Sequence, residues 1–225
     1  MTNKIHSWRK CPLGQYWRNS HPMHTPSGKI VQRRGGCVHN PSGKDQIYAE
    51  EMKLISDSEF SKLTGAPAGK ALGFSQGNKF DDEIRGWCKY WNEVLGGDNP
   101  IDPDLVKALI ATESGFRGSA RIKDGSGQGH ATGLMQITDA TRKILSDEGG
   151  EIQDHLVNVS ESELKDPSLN IATGVRWLFH KRKLASKRLR REASWEETIM
   201  LYKGYKRKDD PQMIKFVKTY QELKK

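Results

Sequence analysis

The chain has 225 residues, long enough for a catalytic-sized domain with an appendage and a sizeable core. Its 37 Lys and Arg outnumber 28 Asp and Glu, and a formal charge of +9 points to a polyanionic partner such as a cell wall, nucleic acid or an anionic membrane surface. Three widely spaced cysteines, Cys11, Cys37 and Cys88, do not describe a disulfide-stapled scaffold, no apolar run is long enough for a transmembrane segment, and the residues after Met1 lack the pattern of a secretory signal.

Residues 1–50 hold eight Lys or Arg against Asp45 and Glu50, and read as a separate basic module. Within it His24-Thr25-Pro26-Ser27-Gly28-Lys29 is echoed by His39-Asn40-Pro41-Ser42-Gly43-Lys44. Pro-Ser-Gly favours tight turns, so two related turns between short strands are expected, with one strand over Lys29 to Arg33. Cys11, His24, Cys37 and His39 are candidate ligands for a structural zinc, because the two histidines precede matching turns and Cys37-Val38-His39 puts two ligands on one strand face. A Cys11 to Cys37 disulfide is an alternative, and two reduced thiols with neither metal nor bridge are the default. Trp8, Tyr16 and Trp17 suit sugar stacking or a small core equally.

Residues 51–78 read as a linker with a short helix near Asp57 to Leu63. From Phe80 the spacing turns helical: Ile84, Trp87, Trp91 and Leu95 recur three or four apart until Gly96-Gly97. Asp102 caps a helix with Pro103 in its first turn and Gly115 at its close. Further helices are expected at Asp139 to Asp147, Ser168 to Leu189, Trp195 to Tyr202 and Pro211 to Leu223, with loops at 118–132 and 149–166. The fold class is therefore mostly α, a helical catalytic domain over 79–225 with a small N-terminal β/loop module. Seven basic residues within Lys181 to Arg191 read as a solvated face or helix C-terminus before a nucleic-acid site.

In the helix opened by Pro103, Glu113 falls on the apolar stripe of Leu105 and Leu109. Burial, and the negative end of the helix dipole, both favour a carboxyl that keeps its proton, as a general acid requires. Periodicity alone leaves open a carboxylate at a fraying end that points to water.

Glu113-Ser114-Gly115-Phe116 and Gly133-Leu134-Met135-Gln136-Ile137-Thr138 together resemble the two signature segments of the soluble lytic transglycosylase family, which shares a lysozyme-like core with goose-type lysozymes. Asp166-Pro167-Ser168-Leu169-Asn170-Ile171 with Gly174, and Leu201-Tyr202-Lys203-Gly204-Tyr205, resemble its later motifs, so the likeness covers about residues 80–205. It implies Glu113 as the catalytic residue, with Ser114, Met135, Gln136 and Thr138 at the substrate site and Tyr202 touching the catalytic carboxyl. Lys203 replaces the family's usual Asn and Tyr205 its usual Gly.

The resemblance implies cleavage of the MurNAc-GlcNAc β-1,4 bond of peptidoglycan without a catalytic cofactor: the Glu protonates the glycosidic oxygen, then helps the muramic C6 hydroxyl attack C1, leaving a 1,6-anhydro end. Thr138 stands where goose-type enzymes carry an Asp, which favours this lytic route over hydrolysis. Asp124, in a Gly-rich loop, is the candidate second carboxylate for the hydrolytic alternative. A non-catalytic wall-binding protein and a nucleic-acid-binding protein are the readings from other classes. The expected setting is synthesis in a bacterial cytoplasm without a signal peptide and action at the wall or periplasm after non-classical export, with a secretion or phage apparatus and an inhibitor protein as candidate partners.

Overall fold

Each Pro-Ser-Gly of the first fifty residues makes a tight turn. Gly28 (φ +80°) returns its amide to Thr25 O at 2.8 Å, and Gly43 (φ +70°) returns its own to Asn40 O at 3.0 Å. Only glycine enters this left-handed region without strain, which is why both turns carry it. The structure, a computed structural model, describes residues 8–123, 125 and 127–225.

The first turn joins β2 (His21–His24) to β3 (Ile30–Arg33), an antiparallel ribbon extended by β1 (Gln15–Arg18) against β4 (Gly36–His39). Cys11 and Cys37 are joined by a disulfide with their Cα atoms 5.5 Å apart, which pins the segment before β1 to β4. This corrects two sequence expectations, the pair of reduced thiols and the four-ligand zinc set. Each sulfur is bonded to the other, and His24 stands at the turn end of the ribbon opposite Ile30, while His39 lies in the outer pair opposite Gln15.

After the second turn come β5 (Gln46–Tyr48) and α1 (Ala49–Glu59). The stretch expected as a linker from residue 51 therefore begins inside a helix. Met52 and Ile55, followed by Phe60 in a short 3-10 turn, are buried in the main core. Three apolar residues among charged ones gave too weak a period to be read as a core face.

The helical part follows the expected order. α2 (Asp81–Leu95) buries Ile84, Trp87, Cys88, Tyr90 and Trp91, and α3 (Pro103–Glu113) is buried continuously from Asp104 to Ala111. A small antiparallel sheet of β6 (Arg121–Lys123), β7 (His130–Thr132) and β8 (Ile137–Thr138) leads into α4 (Asp139–Ser146). β9 (Leu156–Asn158) pairs in parallel with β5, joining the N-terminal module to the helical body. α5 (Pro167–Leu189) is the longest helix and packs on α2 and on α6 (Trp195–Lys203), while α7 (Pro211–Leu223) packs on α3. The described residues thus form a helical body with small sheets concentrated toward the N-terminus.

Module and body also share a buried charge network. Arg9 meets Asp45 at 2.7 Å and Glu51 at 3.0 Å, and His155 meets Asp45 at 2.7 Å. Burial opposes ionisation of Asp45, but the His155 hydrogen bond and the Arg9 charge outweigh it and hold the carboxyl below its ordinary range.

Candidate active site

The Asp102 carboxylate accepts from the Asp104 amide at 3.0 Å and Pro103 occupies the first turn, so α3 starts where an Asp-Pro pair can satisfy its free end. The helix then runs through the core and stops where Gly115 (φ +59°) and Phe116 (φ +61°) turn left-handed. Glu113 is its last residue, and its side chain, 19 % exposed, lies between core and solvent. The fraying end open to water is therefore not what forms. Ser114 lies below the site: its amide and hydroxyl both return to Ile110 O, at 3.0 and 3.3 Å.

The 133–138 segment is organised by Asn170, fully buried near the start of α5. The Asn170 carbonyl oxygen accepts from the Met135 amide at 2.8 Å, and its amide group donates to Thr132 O and Leu164 O, each at 2.9 Å. A Cβ on Gly133 (φ +79°) would lie 2.2 Å from Asn170 Nδ2, so both backbone angle and space demand glycine there. Met135 is fully buried with its sulfur against Gly174, where an added Cβ would lie 2.3 Å from it. Gln136 (φ +50°) donates to Gly133 O at 2.7 Å. Thr138 caps α4, its hydroxyl accepting from the Thr141 amide at 3.1 Å.

Tyr202, in α6, donates its hydroxyl to Met135 O at 2.5 Å. Burial first, and then the negative charge of Glu113, push this phenol well above its ordinary range. Tyr202, expected beside the catalytic carboxyl, thus gives its phenolic proton to the Met135 carbonyl and feels the charge of Glu113. The group that meets Glu113 is the ammonium of the next residue, Lys203, whose side chain is 4 % exposed. Sequence reasoning noted Lys203 only as a departure from a motif; contact between residues 113 and 203 has no periodic signal.

Beside this point a cavity of about 200 Å³ is lined by Gln136, Thr138, Trp177, Lys181, Tyr202 and Gly204, among others. Three of the expected substrate residues, Gln136, Thr138 and Tyr202, thus line one cavity. Asp124 lies outside the described residues. A larger concavity, about 610 Å³, lies at the N-terminal ends of α2 and α5 around Asp82, Glu83 and the Asp166-Pro167-Ser168 motif, and is lined neither by Glu113 nor by any of the expected substrate residues. Among the described residues one group, Asp45, Asp154 and His155, has the spacing of metal ligands, and its atoms are occupied with Arg9 and each other.

The transglycosylase SLT domain matches residues 91–213, more than half of the chain, from Trp91 in α2 to Met213 in α7. The protein belongs to that family. No curated protein matches the chain. As an SLT-domain protein it has the family's glycan-cleaving transglycosylase activity on peptidoglycan. Glu113, the Asn170-ordered wall and the Tyr202-Lys203 pair all lie within the matched residues. No helix among the described residues is long and apolar enough to cross a membrane.

Proposed function

We propose that the protein is a lytic transglycosylase that cuts the MurNAc-GlcNAc β-1,4 bond and leaves 1,6-anhydro-MurNAc ends, with Glu113 as general acid and then general base. The observation that carries this reading is the position of Glu113. It closes a helix buried from residue 104 to 111, is itself only 19 % exposed, and meets Lys203, the chain neighbour of the Tyr202 that binds the Met135 carbonyl. One carboxyl suffices for the lytic route: it protonates the leaving oxygen, and as a carboxylate takes the proton of the C6 hydroxyl that attacks C1. Thr138, committed to capping α4, has no base to offer a water.

The Cys11–Cys37 disulfide supports a working place at the wall or periplasm, since such bonds persist in oxidising compartments. The basic surface favours the anionic wall polymers.

Digestion of purified sacculi tests the reading. Wild type releases muropeptides with anhydro ends, and Glu113→Gln loses at least about a hundredfold in rate. Products heavier by a water, about 18 Da, identify hydrolysis instead; full activity of Glu113→Gln removes Glu113 from the mechanism.

A further inference from the structure

Lys203 is the charged residue of the site that the proposed chemistry leaves unused. Among the described residues its ammonium meets one carboxylate, Glu113, and otherwise lies 5.9 Å from the Tyr205 ring. An ammonium has three donors, so most of its capacity is unspent in a place nearly closed to water. A neighbouring cation favours an ionised carboxyl, whereas a general acid needs the protonated one. Two phenols also lie within reach of the Glu113 charge. Tyr202 and Tyr205 both feel its charge, but both are phenols driven further from ionisation, by burial first and by Glu113 second. The resting site therefore holds Glu113 paired with Lys203, with one carboxylate oxygen occupied by the ammonium. In a poorly solvated site an ammonium leaves one carboxylate readily only for another anion. Lys203 ends α6 beside Gly204 and the exposed residues 206–209, and its two chain neighbours, Tyr202 and Gly204, line the 200 Å³ cavity.

We infer that Lys203 makes the enzyme selective for glycan that carries a carboxylate beside the scissile bond: the substrate's carboxylate takes over the ammonium and frees Glu113 to meet the glycosidic oxygen. This rests on the reading of Glu113 given above. In peptidoglycan the carboxylate has two sources, the stem peptide or the muramic lactyl group bared when the stem is removed. The second would place the enzyme after an amide-hydrolysing step.

The test compares initial rates on four polymers: intact sacculi, sacculi with carboxylates capped as methylamides, glycan strands stripped of stems by an amidase, and the same strands capped. Wild type should slow about ten- to a hundredfold on capping. A drop on capped sacculi names the stem carboxylate, and a drop on capped bare strands the lactyl group. Lys203→Met should act on capped and uncapped polymer at nearly equal rates, whereas Lys203→Arg, which keeps the charge, should retain the preference. Wild type indifferent to capping, or a preference that survives in Lys203→Met, overturns the inference. Should Lys203→Met fail to fold, Lys203→Gln takes its place with the same two outcomes. A fully active Glu113→Gln would instead overturn the mechanism on which the inference rests.

Discussion

The Tyr202 hydroxyl donates a 2.5 Å hydrogen bond to the Met135 carbonyl, tying α6 to the 133–138 wall next to Glu113. The bond does two jobs: it satisfies a backbone carbonyl in a fully buried residue, and it fixes the helix end that carries Lys203. Tyr202→Phe leaves that carbonyl without its partner, so a loss of about 1–2 kcal/mol in stability is expected. Sacculus digestion should slow as the wall and α6 lose their common anchor. Denaturant unfolding and a digestion assay on the same preparation check both; a variant unchanged in both would show that the tie is dispensable.

Gly174→Ala places a methyl group 2.3 Å from Met135 Sδ and 2.9 Å from its Cβ. The Met135 amide is held by Asn170 on the same helix, so Met135 cannot retreat without loosening that bond. Overpacking of this kind costs about 1–3 kcal/mol. A fall of several degrees in the melting temperature, together with slower digestion, is the expected outcome. A melting temperature equal to wild type would mean that the wall yields freely.

Much of this arrangement was legible in the sequence, and the parts that were not share a cause. α2 and α3 announced themselves through apolar spacing and through stops written in Gly96-Gly97, Asp102-Pro103 and Gly115. Gly133, Asn170 and Gly174 could be placed by resemblance, and the structure supplies their physics as one packed unit around Met135. The strands β6 to β9 span two or three residues each, too short for an alternation to appear. The helix expected near Asp57 to Leu63 instead starts at Ala49, because Met52, Ile55 and Phe60 are too few among charged residues to mark its beginning. The Cys11–Cys37 bond and the Lys203–Glu113 pair depend on which distant segments meet, and spacing along the chain holds no record of that.

The disulfide and the zinc site predict opposite responses to reagents. The bond closes a loop of 26 residues, for which the chain-entropy estimate is about 3.5 kcal/mol. Reductant, or Cys37→Ser, should therefore lower stability by roughly that amount and loosen the β1 to β4 ribbon, while a chelator leaves the melting temperature unchanged. Destabilisation by chelator with insensitivity to reductant would restore the metal.

α6, which positions both Tyr202 and Lys203, starts in a complete capping box. The Ser194 hydroxyl accepts from the Glu197 amide at 3.1 Å, and the Glu197 carboxylate accepts from the Ser194 amide at 2.9 Å. Ser194→Ala should cost about 1 kcal/mol. The same box makes the helix sensitive to acid. The Arg191 side chain first, and then the Ser194 amide, hold Glu197 at about 2, below its ordinary 4.5. A carboxyl lowered in the folded state stabilises it fully above its unfolded value, so this contribution is complete above pH 4.5 and is lost as the pH falls toward 2. Because the Arg191 side chain is more than half exposed, solvent and salt screen the pair and the effect is small at high ionic strength. Melting curves from pH 6 down to about pH 2 at low salt should show a shallower decline in Arg191→Ala than in wild type. Parallel curves would mean that Arg191 contributes nothing to the acid sensitivity of α6.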